Sequence, residues 1–257
     1  MTEQENLSSL GKKIFFLYPS GVVQNQIMSE LAQEEFEVYS VKDEVKLKQV
    51  LVKFPDSIVF ANINDGMKEN AWEEWIRLVM ANPETSSVAI GIITSGADEN
   101  VRRKYVDNLK IRCGYTVLRP DLGVVLKQLI LILNNVNAKG RRKYIRALTD
   151  KESHMTANFP MNGTYINGAL KDISVVGFSC SFKDDPEFTR NRLFEDIQMR
   201  LQAQLLKIEG IIFGSRMDGD EKTYVVLFTQ RVDPSIKSKI RKFIQSYLQN
   251  KMDNELK

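Results

Sequence analysis

Five short apolar segments, separated by longer amphipathic stretches between about residues 12 and 137, constrain this chain more than any other feature. Lys13–Tyr18, Phe36–Val41, Ser57–Asn62, Val88–Thr94 and Tyr115–Leu118 each read as a strand. A strand apolar at nearly every position has no face to offer water, so it belongs in a parallel sheet covered on both sides. Helical periodicity fills the intervals, near 22–34, 43–53, 68–81 and 98–109, and again near 122–136. Repeated βα units of this length predict a doubly wound α/β domain.

From about residue 138 the pattern changes. Lys139-Gly140-Arg141-Arg142-Lys143-Tyr144-Ile145-Arg146 carries five basic residues in eight. Beyond it apolar residues recur every second position, as in Val176–Phe182, Met199–Leu205 and Tyr224–Phe228. Period two predicts antiparallel strands with one face inward, closing a small barrel or sandwich. Cys180 shares the inward phase with Phe178 and Phe182 and reads as core. Met217-Asp218-Gly219-Asp220 supplies turn chemistry. Asp233-Pro234 reads as a helix N-cap followed by proline at the first helical position. The stripe Ile236, Ile240, Phe243, Ile244, Tyr247, Leu248 then predicts a C-terminal helix packed on the barrel. A length of 257 residues accommodates two such domains. The expected organisation is a disordered tail over 1–11, an α/β domain over 12–137, a linker and switch segment over 138–147, and an all-β domain over 148–257.

Composition removes several function classes. Lys and Arg number 36 against 33 Asp and Glu, a net charge of +3, which argues against a nucleic-acid polymer as partner. Cys113 and Cys180 are too few for a disulfide framework or a thiolate zinc site. The one histidine, His154, excludes a His-rich metal centre and reads as an exposed loop residue without a role. The opening residues lack the apolar region of a signal peptide, and no run approaches the roughly 20 apolar residues of a membrane span. A cytoplasmic protein without membrane insertion is expected. No G-x-x-x-x-G-K-[ST] loop is present, and no catalytic set can be built around a single histidine, so neither catalysis nor a cofactor is expected. Trp72 and Trp75 read as helix residues packed on the sheet, with a partner-binding face as the alternative. Arg102-Arg103-Lys104 reads as an exposed helix face.

The order of elements in the first domain fits a flavodoxin-like fold. In length, order and strand texture it resembles the receiver domain of bacterial response regulators. That resemblance implies a phosphorylation site at the carboxyl ends of the strands, and the residues required there are missing. The first strand ends in Tyr18-Pro19 without an acid, and Asn62 stands where the family has the phosphate-accepting aspartate. Thr94 and Ser95 follow the fourth strand, Arg119-Pro120 stands where the family has Lys-Pro, and the nearest carboxylate, Asp65, lies three residues too far on. An amide is a poor nucleophile, so no aspartyl phosphorylation is expected of this pseudo-receiver.

Arg142-x-x-x-Arg146, preceded by Arg141, and then Asp172-x-Ser174-x-x-Gly177 open the second half in that order. Guanidinium groups bind phosphate oxygens in pairs, lie flat on rings and suit the O6/N7 edge of guanine. A carboxylate suits guanine's N1–H and amino group, a serine hydroxyl works at the same rim, and glycine admits a close backbone approach. These two motifs, ahead of a barrel and a terminal helix, resemble the PilZ domain, a bacterial receptor for cyclic di-GMP, over about residues 138–250. The resemblance implies a six-stranded antiparallel barrel and a ligand site made of Arg141, Arg142, Arg146, Asp172, Ser174 and Gly177. Arg141 also leans toward a stacked dimer of the ligand. It further implies a second-messenger effector in motility, attachment or envelope control, acting on unidentified protein partners. The synthase G-G-D-E-F and phosphodiesterase E-x-L signatures are absent. Two other readings are a PilZ adaptor that has lost the ligand and acts through protein contacts, and a transcription factor, for which the C-terminal helix carries Lys237, Lys239, Arg241 and Lys242. The residues leave the oligomeric state open.

Overall fold

A computed structural model describes residues 11–149 and 155–257. The 1–11 tail, except for Gly11, and His154 lie outside the described residues. The chain divides into two compact units. One holds the described residues up to Lys143 together with Gln249–Lys257, and the other is Tyr144–Leu248.

In the first unit the apolar segments form β1 (Ile14–Leu17), β2 (Val38–Val41), β3 (Ile58–Asn62), β4 (Ala89–Thr94) and β5 (Tyr115–Val117). They are all parallel, in the order β2-β1-β3-β4-β5. This is the flavodoxin-like order expected from the βα repeat. Helix α1 begins as a π-turn, Val23–Ile27, and runs on through Met28–Gln33. The others are α2 (Glu44–Lys53), α3 (Glu69–Ala81), α4 (Glu99–Arg103, continued by a π-turn over Lys104–Asn108) and α5 (Leu122–Asn135). Asp43, Asp98 and Asp121 start α2, α4 and α5 by accepting the orphan N–H groups of the first turn. All of β1, β3 and β4 is buried, which explains why those strands read as unbroken apolar runs. At the β2 edge the Gln249 carboxamide accepts from Ser40 N–H (2.9 Å) and donates to Ser40 C=O (3.0 Å), as a neighbouring strand would.

The second unit is built from β6 (Ala147–Leu148), β7 (Thr156–Met161), β8 (Thr164–Ser174), β9 (Gly177–Phe182), β10 (Leu193–Leu201), β11 (Gln204–Asp218) and β12 (Glu221–Phe228). Six of them close in the cycle β8-β7-β10-β11-β12-β9-β8, all antiparallel, and β6 adds to β8. The barrel expected from period-two patterning and the terminal helix expected from the apolar stripe are both present. Inside, Phe159, Phe178, Phe182, Phe188, Phe194 and Tyr224 pack with ring centroids 4.8–6.1 Å apart. Cys180 lies fully buried in that core, and burial pushes its thiol up. Helix α6 (Pro234–Glu255) begins where Asp233 caps Ser235 N–H at 2.7 Å.

One expected strand is corrected. The alternation over Met199–Leu205 spans a hairpin, with β10 ending at Leu201 and β11 starting at Gln204. Leu201 pairs with Gln204, and Gln202 occupies the left-handed region at φ 52°. The two-residue turn shifts the phase: Leu206 falls opposite the inward Met199, while Leu205 falls opposite Arg200 and is exposed, so the run Met199, Leu201, Ala203, Leu205 only looks like one strand. No helix among the described residues is long and apolar enough to cross a membrane.

Candidate functional site

Two places correspond to the residues singled out in the sequence. The first is the carboxyl end of the parallel sheet. Asn62, at the end of β3, is buried and donates to the Tyr18 carbonyl at 2.8 Å, while its oxygen accepts from Asn64 N–H at 3.2 Å. The Asn64 carboxamide oxygen accepts the Thr94 hydroxyl (2.9 Å), the Ser95 N–H (2.7 Å) and the Ser95 hydroxyl (3.2 Å). The donors that could hold an anion at the end of β4 therefore already hold an amide oxygen of the chain. Tyr18, at φ 52°, donates its hydroxyl to Glu44. Burial first, then Glu44, pushes that phenol up to about 12. Asp65 is exposed and caps Gly66 N–H of its own loop at 2.8 Å. Both tryptophans are buried, Trp72 donating to the Asp65 carbonyl and Trp75 to the Glu44 carbonyl, each at 3.1 Å. Both are core residues, as the packing reading expected, and not a partner-binding face. Arg102 and Arg103 are tied to Glu99, and Lys104 to Glu69 and Glu73; of that trio Arg103 is exposed and the other two are half-buried. Among the described residues no cluster of three or more His, Cys, Asp or Glu could hold a metal ion.

The second place is the β8–β9 turn. Strand β6 pairs with the end of β8, Ala147 opposite Ile173 and Leu148 opposite Asp172. This pairing delivers Arg146, the last residue of a basic segment that carries neither helix nor strand over residues 139–146, to the turn. Arg146 Nη1 lies 3.4 Å from Asp172 Oδ1, and the other Asp172 oxygen accepts the Ser179 hydroxyl. Asp172 is buried, while the Arg146 side chain is 41% exposed. Arg141 and Arg142 are exposed and have no side-chain partner among the described residues. The structure thus brings together Arg146 and Asp172, while Arg141 and Arg142 are exposed.

Ser174 and Gly177 serve the turn itself. The Ser174 hydroxyl donates to the Gly177 carbonyl at 3.1 Å and accepts from Val176 N–H at 3.4 Å. A Cβ on Gly177 would lie 2.2 Å from the Val226 carbonyl oxygen, so the close approach made possible by this glycine is that of strand β12. Sequence reasoning missed Ser179 and Asn64. Ser179 was legible in principle, since it is out of phase with the inward Phe178 and Cys180 and only two residues past Gly177. Nothing local marks Asn64, because its partners come from a different strand.

An open concavity of about 540 Å³ lies elsewhere on the barrel, lined by residues including Asp185, Asp218, Asp220 and Glu221 beside Lys183 and Lys222. Its acidic majority suits phosphates poorly, and no motif residue lines it.

No protein-family model and no curated protein sequence match this chain. Solved structures do. The PilZ domain of YcgR from Escherichia coli, with c-di-GMP, aligns at 15% identity over 44% of this chain and 96% of that one, TM-score 0.39. Full-length YcgR from the same organism, in complex with c-di-GMP, aligns at 14% identity over 45% of this chain and 50% of that one, TM-score 0.39. The chain therefore spans about half of that longer protein. The Mn²⁺-bound response regulator Rcp1 aligns at 15% identity over 48% of this chain and 92% of that one, TM-score 0.39. By these matches the chain is similar to PilZ domain proteins and to a response regulator.

Proposed function

We propose that this chain is a cyclic di-GMP receptor whose site combines Arg141, Arg142 and Arg146 with Asp172 and Ser174 at the β8–β9 turn. The observation that carries the reading is the Arg146–Asp172 ion pair. Residues from the two motifs, 26 apart in the chain, meet at one turn. Two further guanidiniums stand uncommitted on the same segment. Arginine matches phosphate in bidentate geometry and stacks on bases, and Asp172 accepts from the guanine edge once Arg146 turns to the ligand. On binding, the 138–147 segment orders against the barrel, with Gly140 as hinge. That segment joins the two units, so occupancy is transmitted to the pseudo-receiver, which passes it to a protein partner. Control of motility, attachment or envelope functions belongs to this proposal through the PilZ resemblance.

Calorimetric titration of cyclic di-GMP into the wild type and Arg142→Ala tests it. A charge-assisted hydrogen bond contributes about 1.5–3 kcal/mol, so the variant should bind about tenfold or more weakly. Absence of wild-type binding at micromolar concentrations ends the proposal and leaves the adaptor reading.

A further inference from the structure

The outside of a small barrel in water is expected to alternate toward polar side chains, and one row on this barrel does not. Residues directly opposite across antiparallel strands point to the same face. Register therefore aligns Ser174, Gly177, Leu227, Ile211 and Leu193 in one line across β8, β9, β12, β11 and β10. Leu227 is 38% exposed and Leu193 44%, with Ile211 half-buried between them. The bulge between Ile212 and Gly214 adds Phe213, 52% exposed, beside the row.

Arg190 stands beside it, and Arg192, which precedes Leu193, caps the core rings at the adjoining end of β10. The Arg190 guanidinium lies 5.4 Å from the Phe213 ring centre. That of Arg192 lies 4.8 Å from Phe194 and 5.3 Å from Phe188. Both are exposed, and neither has a carboxylate partner among the described residues. Glu187 and Glu195, the acids nearest along the chain, pair with neither. Glu209, two residues before Ile211, is already held by the Thr229 hydroxyl at 2.6 Å and by Arg231 at 3.6 Å. Stacking fixes each guanidinium in a plane while leaving its N–H edge open, the geometry that receives a carboxylate in bidentate fashion.

We infer that this row is a docking surface for an acidic, apolar segment of a partner protein. The apolar line from Leu193 to Leu227 crosses two strand spacings, about 10 Å, which is roughly three residues of an extended chain. Charge complementarity selects the occupant: apolar side chains on the row, carboxylates on Arg190 and Arg192. The row ends on Gly177 and Ser174, so a segment seated there lies beside the β8–β9 turn. The surface stands on its own exposures and charges, whether or not that turn binds a nucleotide.

The test uses the full chain and fluorescence anisotropy of a labelled synthetic peptide of alternating Glu and Leu. Saturable binding is expected, weakened about tenfold or more in Arg190→Glu/Arg192→Glu. A Lys-Leu peptide of the same length should bind that variant better than the wild type. Arg190→Glu/Leu227→Ser probes the same surface without unstacking Arg192 from the core rings, should the first variant melt early. Failure of the wild type to bind the Glu-Leu peptide overturns the inference, as does equal binding by folded variants. Two other results overturn it in favour of a different occupant. One is binding to phosphatidylserine vesicles in place of the peptide, and the other is self-association weakened by Leu227→Ser without peptide binding.

Discussion

Among single residues, the polar groups that look free in the sequence are mostly engaged by the fold. Asn64 is the clearest case, since its amide oxygen accepts from the Thr94 hydroxyl and from Ser95. Asn64→Ala removes the acceptor for a buried threonine and should cost about 1 kcal/mol, read as a lower urea midpoint by tryptophan fluorescence. Gly177 teaches the opposite caution. Gly177→Ala drives a Cβ into the Val226 carbonyl and should destabilise the barrel by about 1–3 kcal/mol or more, so lost ligand binding in that variant reports strand geometry. Ser179→Ala is the better probe. It leaves the backbone untouched and removes the hydroxyl that orients Asp172. Burial pushes the Cys113 thiol up to about 11 and raises that of Cys180 as well. Neither should react with a thiol reagent in the native protein, and both should react on unfolding.

At the scale of elements, the period of the apolar residues was sufficient for type and order in the parallel-sheet unit, while in the barrel it marked β9, β12 and the β10–β11 hairpin but not β6, β7 or β8. It revealed the five parallel strands, the helices between them and the terminal helix, because burial on both faces or on one stripe leaves a local trace. Hairpin reversals such as Gln202-Ala203 left none. The loop between β9 and β10 is held by Asp185, which accepts from Lys222 at 2.8 Å and from the Tyr224 hydroxyl. The Lys222 hydrogen bond, then that of Tyr224, holds its carboxyl down to about 2. A carboxyl depressed on folding contributes stability above its ordinary value near 3.9 and loses it as pH falls toward 2. Asp185→Asn should therefore lower the melting temperature modestly at neutral pH, with the difference vanishing by about pH 2.

For the whole molecule, both tryptophans lie in the parallel-sheet unit and none in the barrel. Fluorescence thus follows one unit, while circular dichroism follows both. If the proposed ligand binds the barrel, it should raise the barrel transition by roughly 2.7 kcal/mol at a hundred times its dissociation constant. Arg146→Ala, at the same ligand concentration, should cut the shift to about half or less. Movement of the tryptophan transition with ligand would show that occupancy reaches the parallel-sheet unit; a tryptophan transition that stays put would rule out that coupling.

By itself the sequence determined the class of each half and nominated a candidate ligand motif. Both are written in periodicity and in short runs of neighbouring residues. The division between the units falls at Lys143–Tyr144, with Gln249–Lys257 joining the first unit. Only the tertiary structure decided which side chains meet: Arg146 with Asp172, Asn64 with Thr94, and Leu193 with Ile211 and Leu227. The physical reason is strand register. One residue of slip turns every side chain to the other face, and register is set by closure of the whole sheet rather than by any segment of it.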